Sequence, residues 1–322
     1  MSAGQSPNIL GVYSDEKHIA VSLYRGSQMI FREIYTIKQA ELKLLSDFSS
    51  KSRFVKDKLY KIIDKQKLDI SSVHLTAFGS GPLKKSGTGV FSLNPDTFTR
   101  IQNLEFGEDI RHCGLLAAWD FASRYSIPAV AVFPPGADDF PVVSRVHKNP
   151  DTIRQARADV LALSYAGFKA ARGNFYKKRI ISLSLDIGSG AAALDCGKLI
   201  DMAIENSPMD CRDIKKLLGV LTLKEAEIMA NKGHALAQAV VKAYAYQFYK
   251  AAWSMLAALD NRVDFFVISG LNASCPSLDQ NLIKKLENTG PVHLVTGFDN
   301  AGAAAVLAHD AFIQGRIIDD VF

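Results

Sequence analysis

The sequence is poor in several features that would narrow its function at once. Its four cysteines, Cys113, Cys196, Cys211 and Cys275, are far apart and form no CxxC pair. That spacing argues against a disulfide scaffold or a zinc site and fits a reduced compartment. The seven histidines show no metal-ligand spacing either. No apolar run approaches the roughly 18 residues that a membrane span needs. Met1 to Pro7 is polar and lacks the apolar core of a signal peptide, so the expectation is a cytoplasmic protein without a membrane partner. Nor is there an excess of charge of one sign. A net charge of +5 spread along 322 residues does not call for nucleic acid and is compatible with small anionic ligands.

What is present is an ordinary globular composition, 48% hydrophobic and 22% charged, with enough apolar mass for two cores. The most informative stretch is Arg179 to Ala203. Ile180 to Leu185 has the β-branched, apolar character of a buried strand. It runs into Asp186 and Gly188-Ser189-Gly190, and strand-like composition resumes at Ala191. Such a turn suits a phosphate. Its glycines let amide N–H groups approach an anion, Ser189 adds a hydroxyl, and Asp186 is placed to hold a hydrated Mg²⁺. The same residues also describe a plain hairpin turn, and both readings stand at this point.

The order of elements repeats. Asn8 to Thr36 reads as a three-strand meander, followed later by a helix with Val55, Leu59, Ile62 and Ile63 on one face, and then by a strand ending in Gly79-Ser80-Gly81. Arg179 to Ala203 is a second meander, followed by a long helical pattern and a strand ending in Ser269-Gly270. Two copies of the order βββαβαβα predict two similar α/β domains facing one another across a cleft. The division is placed at 1–148 and 149–322, with the closing helices packing back on the first domain. Ser207 to Val220 reads as irregular, Asn149-Pro150-Asp151 as the start of a helix reaching Ala171, and Gln314 to Phe322 as a tail. Arg172 to Arg179 reads as a basic connector, and Asp138-Asp139 as a turn.

On these stretches the sequence resembles the acetate and butyrate kinases, within the superfamily of acetate kinase, hexokinase, heat-shock chaperone ATPases and actin. The resemblance is carried by Phe106-Gly107-Glu108 through Leu116, Ser126 to Ala129, Leu185 to Gly190, Val267 to Gly270, and Thr296-Gly297 with Ala301 to Ala308. It implies an α/β protein of two ribonuclease H-like, actin-like ATPase domains. It also implies Mg²⁺ and ATP, phosphoryl transfer to a small carboxylate, and a homodimer. Carried over residue by residue, Gly188, Ser189 and Gly190 are the second-domain phosphate loop, Gly270, Leu271 and Asn272 the turn near the adenosine, and Gly297 the turn before the closing helix. Ser14 stands at the first phosphate loop, Gly79, Ser80 and Gly81 on the acceptor side, and Asp186 as the Mg²⁺ residue through water. Arg145 aligns with a butyrate kinase arginine, and a surface ion pair explains it equally well.

Departures from the pattern set up a second reading. Where the family has a glycine- and proline-containing first loop, this chain has Val12-Tyr13-Ser14-Asp15-Glu16. Each acid near a polyphosphate costs of order 1 kcal/mol in a partly buried site. Family histidines are replaced by Asp109, Asp159 and Asp186, and an arginine by Gly79. His112, three residues beyond Asp109, is either a catalytic donor or a buried helix residue with one hydrogen-bond partner. The alternative function is therefore a catalytically degenerate descendant that senses a ligand or binds a partner. A third has Asp159 or Asp109 as a base toward another acceptor.

Overall fold

A computed structural model describes residues 6–79, 81–83, 87–146, 153–156, 160–185, 190–203, 211–220 and 222–319. The first meander consists of β1 (Asn8–Ser14), β2 (His18–Arg25) and β3 (Gln28–Thr36), paired antiparallel. Asp15 makes the first reversal: its carboxylate accepts from the backbone N–H of Lys17 and of His18, both at 2.7 Å. After α1 (Gln39–Lys43), Asp47 caps α2 (Phe48–Lys65), which buries Val55, Leu59, Ile62 and Ile63. These are the residues that helical spacing assigns to one face. β4 (Val73–Gly79) runs parallel to β1, and β6 (Ala129–Val132) parallel to β4; between them come β5 (Val90–Ser92), α3 (Pro95–Gln102) and α4 (Ile110–Arg124).

α5 (Val142–Arg145) and α6 (Val160–Ala171) precede the second meander of β7 (Arg179–Ser184), β8 (Ala191–Asp195) and β9 (Lys198–Ala203). Then come α7 (Cys211–Leu218), α8 (Leu223–Asn231), α9 (Ala235–Ala258), β10 (Phe265–Ser269), α10 (Lys284–Glu287), β11 (Val292–Val295), α11 (Asn300–Ile313) and β12 (Ile317–Ile318). Among the described residues, one sheet has the order β12-β5-β6-β4-β1-β2-β3 and the other β11-β10-β7-β8-β9. The run β6-β4-β1-β2-β3 therefore has its counterpart in β11-β10-β7-β8-β9, with the same parallel and antiparallel neighbours. The duplication read from the sequence is real, and the α/β class with it.

Contacts divide the chain into Met1–Ala137 with Phe298–Phe322, and Asp138–Gly297. By contacts the boundary falls after residue 137 rather than 148, and the closing segment that carries α11 belongs to the first unit. α6, which follows β6 in the chain, packs on β7, β8, β10 and β11. α11, which follows β11, packs on β1, β2, β4 and β6. Within the first unit, Leu10 and Val12 point into the core with α2 and α4. Gly11, between them, faces the other side of the sheet, toward α11. In the second unit Ile181 and Leu183 join the α9 core, while the Ser182 hydroxyl reaches the Leu163 carbonyl of α6 at 2.8 Å.

Three local expectations change. Cys211–Leu218 is a helix inside the stretch read as irregular, its lysines and Asp213 making the sequence look like a loop. Residues 153–156 are not helical, and the described helix spans Val160–Ala171. The supposed tail supplies β12, parallel to β5.

The approach of α11 to β1 is backbone on backbone. A Cβ on Gly11 would stand on the Ala301 carbonyl oxygen, and a helix backbone cannot step aside as a flexible side chain can. Gly11→Ala is expected to destabilise the protein by about 2 kcal/mol or more, read as a lowered urea midpoint with an unchanged slope.

Candidate functional site

In the first unit, the ends of β1 and β4 are both fastened to the first turn of α4. Asp109 caps that turn through the Arg111 N–H at 2.8 Å. Ser14, the last residue of β1, is fully buried, and its hydroxyl donates to the Ile110 carbonyl at 2.9 Å. Gly114 makes this possible, since a Cβ there would collide with the Ser14 hydroxyl. Gly79 ends β4, level with Tyr13 and buried. Beyond it, His112 holds the turn: its Nε2 lies 2.9 Å from the Pro82 carbonyl oxygen, which can only accept, so Nε2 carries the proton. The ring also occupies the space beside Gly81, where a Cβ would come within 2.7 Å.

His112 is wholly buried, and its Nδ1 has no hydrogen-bond partner among the described residues. Burial pushes its pKa below the ordinary histidine value, against the opposing pull of the Pro82 carbonyl and Asp109. The ring is held within the first unit by its contact with the Pro82 carbonyl.

Beside these strand ends a cleft of about 620 Å³ is lined by Asp15, Glu16, Leu42, Leu45, Lys51, Glu108, Asp109, Ile110 and Arg111. Both of its cations are engaged. Lys51 lies 2.6 Å from Glu108, and Arg111 lies 2.7 Å from Asp109. Burial alone would raise the Asp109 pKa, but the Arg111 guanidinium outweighs it and holds the carboxyl below the usual range. The wall thus carries more carboxylate than cation. It is a poor environment for a polyphosphate, as Asp15 and Glu16 imply.

In the second unit the candidate residues gather around the end of β7. Asp186, Gly188 and Ser189 lie outside the described residues, as do Asp159 and Ser80. The frame on either side of the turn is described. The Ser184 N–H donates to the Gly190 carbonyl at 3.1 Å, and the Leu185 N–H to the Ser269 carbonyl at 2.9 Å. The Leu185 carbonyl accepts from Asn272 Nδ2 at 2.8 Å and from the Tyr244 hydroxyl at 3.1 Å. Asn272 reaches it because Gly270, at φ 98°, turns the chain sharply out of β10 into the short helical turn that Leu271 opens. Tyr244 sits on the buried face of α9. Sequence reasoning missed it, for one tyrosine among the apolar residues of a helix face carries no signal beyond packing.

Arg145 is engaged elsewhere in the same unit. Its guanidinium lies 2.7 Å from the buried Asp138 carboxylate and 5.7 Å from the centre of the Phe140 ring. Asp138 also accepts from the backbone N–H of Phe140 and Ala156, so it organises a turn. Arg154 binds the Ser144 and Met202 carbonyls and Asp201. Gly297 turns at φ 74° with open space where a Cβ would be. In the first unit, Asp299 caps α11 through the Gly302 N–H at 2.9 Å and pairs with Arg32 at 3.4 Å. Among the described residues there is no metal-binding group of three His, Cys, Asp or Glu, and no helix long and apolar enough to cross a membrane.

No protein-family profile matches the chain. It is 22% identical over 336 residues to a probable butyrate kinase of Coprothermobacter proteolyticus, covering 92% of this chain and 94% of that one. A probable butyrate kinase of Listeria monocytogenes is 21% identical over 344 residues, at 94% and 97% coverage. The fold is similar to that of Porphyromonas gingivalis acetate kinase, with a TM-score of 0.71 at 12% identity, covering 94% of this chain and 99% of that one. It is also similar to that of the ROK hexokinase from Thermus thermophilus, with a TM-score of 0.56 at 11% identity and 94% and 98% coverage. These likenesses establish the two-domain, actin-like ATPase fold.

The depressed His112 pKa has a thermodynamic signature. Above the unfolded value near ~6.5 the ring is neutral in both states. As pH falls below that value the unfolded chain takes up a proton that the folded chain refuses, so stability falls. The urea midpoint is expected to drop between about pH 6.5 and 5, and less so in His112→Gln, which has no imidazole to charge.

Proposed function

We propose that this chain, a divergent member of the acetate and butyrate kinase family, transfers the γ-phosphoryl group of ATP to a small carboxylate. The observation that carries this reading is the doubly held Leu185 carbonyl. A strand end fixed by both Asn272 and Tyr244, immediately before an Asp-Ile-Gly-Ser-Gly sequence, gives a phosphate-binding turn a rigid base. Preorganised N–H donors stabilise the charge of a transferring phosphoryl group without reorganising during the reaction. The described frame of the second unit suits a polyphosphate. Gly188, Ser189 and Gly190 would hold the phosphates and Asp186 the hydrated Mg²⁺, which supplies neutralising charge. In the reaction a carboxylate oxygen bonds to the γ-phosphorus as the bond to the β–γ bridging oxygen breaks, giving an acyl phosphate and ADP.

A second reading has its own support. The first-unit counterpart of the phosphate loop is the Asp15-Glu16 turn, which borders a cleft whose two cations are already paired with carboxylates. That favours a descendant that binds a nucleotide or another anion at the second unit without efficient turnover.

Thermal shift with Mg-ATP, followed by an acyl hydroxamate assay across short carboxylates, separates the two. Hydroxamate formation that Asp186→Ala abolishes supports the kinase; binding without hydroxamate supports the descendant. No stabilisation at millimolar Mg-ATP removes the nucleotide-based version of both. Asn272→Ala is expected to weaken Mg-ATP binding about tenfold, equivalent to ~1.4 kcal/mol, by calorimetric titration.

A further inference from the structure

We propose that a hollow between α2, α3 and α4 of the first unit is a second ligand site, built for an oxyanion carried on a small apolar body. This goes beyond phosphoryl transfer and does not rest on it. The hollow measures about 320 Å³, within the range of roughly 300–1,000 Å³ typical of small-molecule pockets. Phe48 of α2 and the buried Leu116 of α4 supply its apolar wall. Its polar wall comes from Ser49, Ser52, Arg53 and Lys56 of α2 and from Gln102 at the end of α3. Helical spacing sets the four α2 residues on one stripe, next to the stripe of Val55, Leu59, Ile62 and Ile63 that enters the core. No carboxylate lines this hollow, in contrast to the cleft beside Asp15 and Glu16.

Its donors are also unspent. Lys56 gives one N–H to Asp120 at 2.7 Å, so its charge is balanced, and an ammonium has two more to give. The Arg53 guanidinium has no hydrogen bond or ion pair among the described residues, and Asp57, one turn further along α2, does not pair with it. The side chains of Ser49, Ser52 and Gln102 likewise make no hydrogen bond among the described residues. An unbalanced guanidinium flanked by hydroxyls and an amide suits a carboxylate or a phosphate, because arginine meets either with paired N–H···O bonds. A neutral ligand leaves the Arg53 charge unanswered. An inorganic anion gains nothing from Phe48 and Leu116. A small acid or phosphate ester with a compact apolar body uses both walls, and by bridging α2 to the end of α3 it stabilises the folded protein.

The test titrates the full chain, without nucleotide, with phenyl phosphate, benzoate, inorganic phosphate and phenol, read by calorimetry and thermal shift. Phenyl phosphate and benzoate carry the two head groups that the donors accept, and the tighter of them identifies which is preferred. That ligand is expected to bind with a Kd of about 1 mM or below, and phenol and inorganic phosphate about tenfold more weakly or worse. Arg53→Gln is expected to weaken binding about tenfold and Ser52→Ala about threefold. Both substitutions sit on the outer stripe of α2, so the melting temperature of the free protein is expected to stay unchanged. Arg53→Gln is also expected to bind Mg-ATP as the wild type does, which separates this site from the nucleotide turn. The proposal is overturned if neither organic anion binds at about 10 mM, if phenol binds as tightly as they do, or if Arg53→Gln binds them as tightly as wild type. A wild type that binds phenyl phosphate through Arg53 but shows no response to Mg-ATP removes the kinase reading and supports this site.

Discussion

The first sheet depends on a contact that admits no side chain. α11 lies on β1 where Gly11 meets the Ala301 carbonyl and the Ala305 methyl, and the helix is buried on all sides from Ala301 to Ala308. Small residues on both partners bring the backbones within van der Waals distance, so dispersion replaces the interlocking of large side chains. With that face sealed, β1 is fixed on both sides, by α11 and by the α2 and α4 core. Everything at its far end, Ser14 and the Asp15 turn included, inherits that placement.

The second determinant is the first turn of α4. Few helix starts have so many obligations: an aspartate cap, the Ser14 hydroxyl on the Ile110 carbonyl, the Pro82 carbonyl on His112, and Gly114 against Ser14. The equivalent arrangement in the second unit uses different chemistry, with Asn272 and Tyr244 converging on the Leu185 carbonyl. The same strand order thus carries two ways of holding a strand end. One is built on an imidazole and glycines, the other on an amide and a phenol. The duplicated frame has been kept while its polar fittings differ between the two units.

Much of the fold was legible because it follows short-range rules. The meanders announce themselves through alternating or buried apolar strands and tight turns, and the α2 face through its spacing. Asn94 and Asp109, residue types that favour helix starts, cap α3 and α4 in the structure. What escaped depends on partners distant in the chain. α7 is short, charged and amphipathic, so its polar face masks its buried Ile214. β12 exists because β5 offers an edge, a fact no local pattern contains. An ion pair was one reading of Arg145, but its partner, the buried Asp138, had been read only as part of a turn. His112 was visible as a residue with two possible duties. Its partner, the Pro82 carbonyl, lies thirty positions away and no local pattern announces it.

The exchange of α6 and α11 also orders events during synthesis. The strands of the first sheet's meander are made early, yet one face of the sheet waits for α11, which follows every strand of the second sheet. While the ribosome works through the intervening residues, that apolar face has no cover of its own and is a natural client for a holding chaperone. The second unit meets the opposite schedule, since α6 emerges before the strands it covers. The nascent chain therefore completes its later half first and closes its earlier half last.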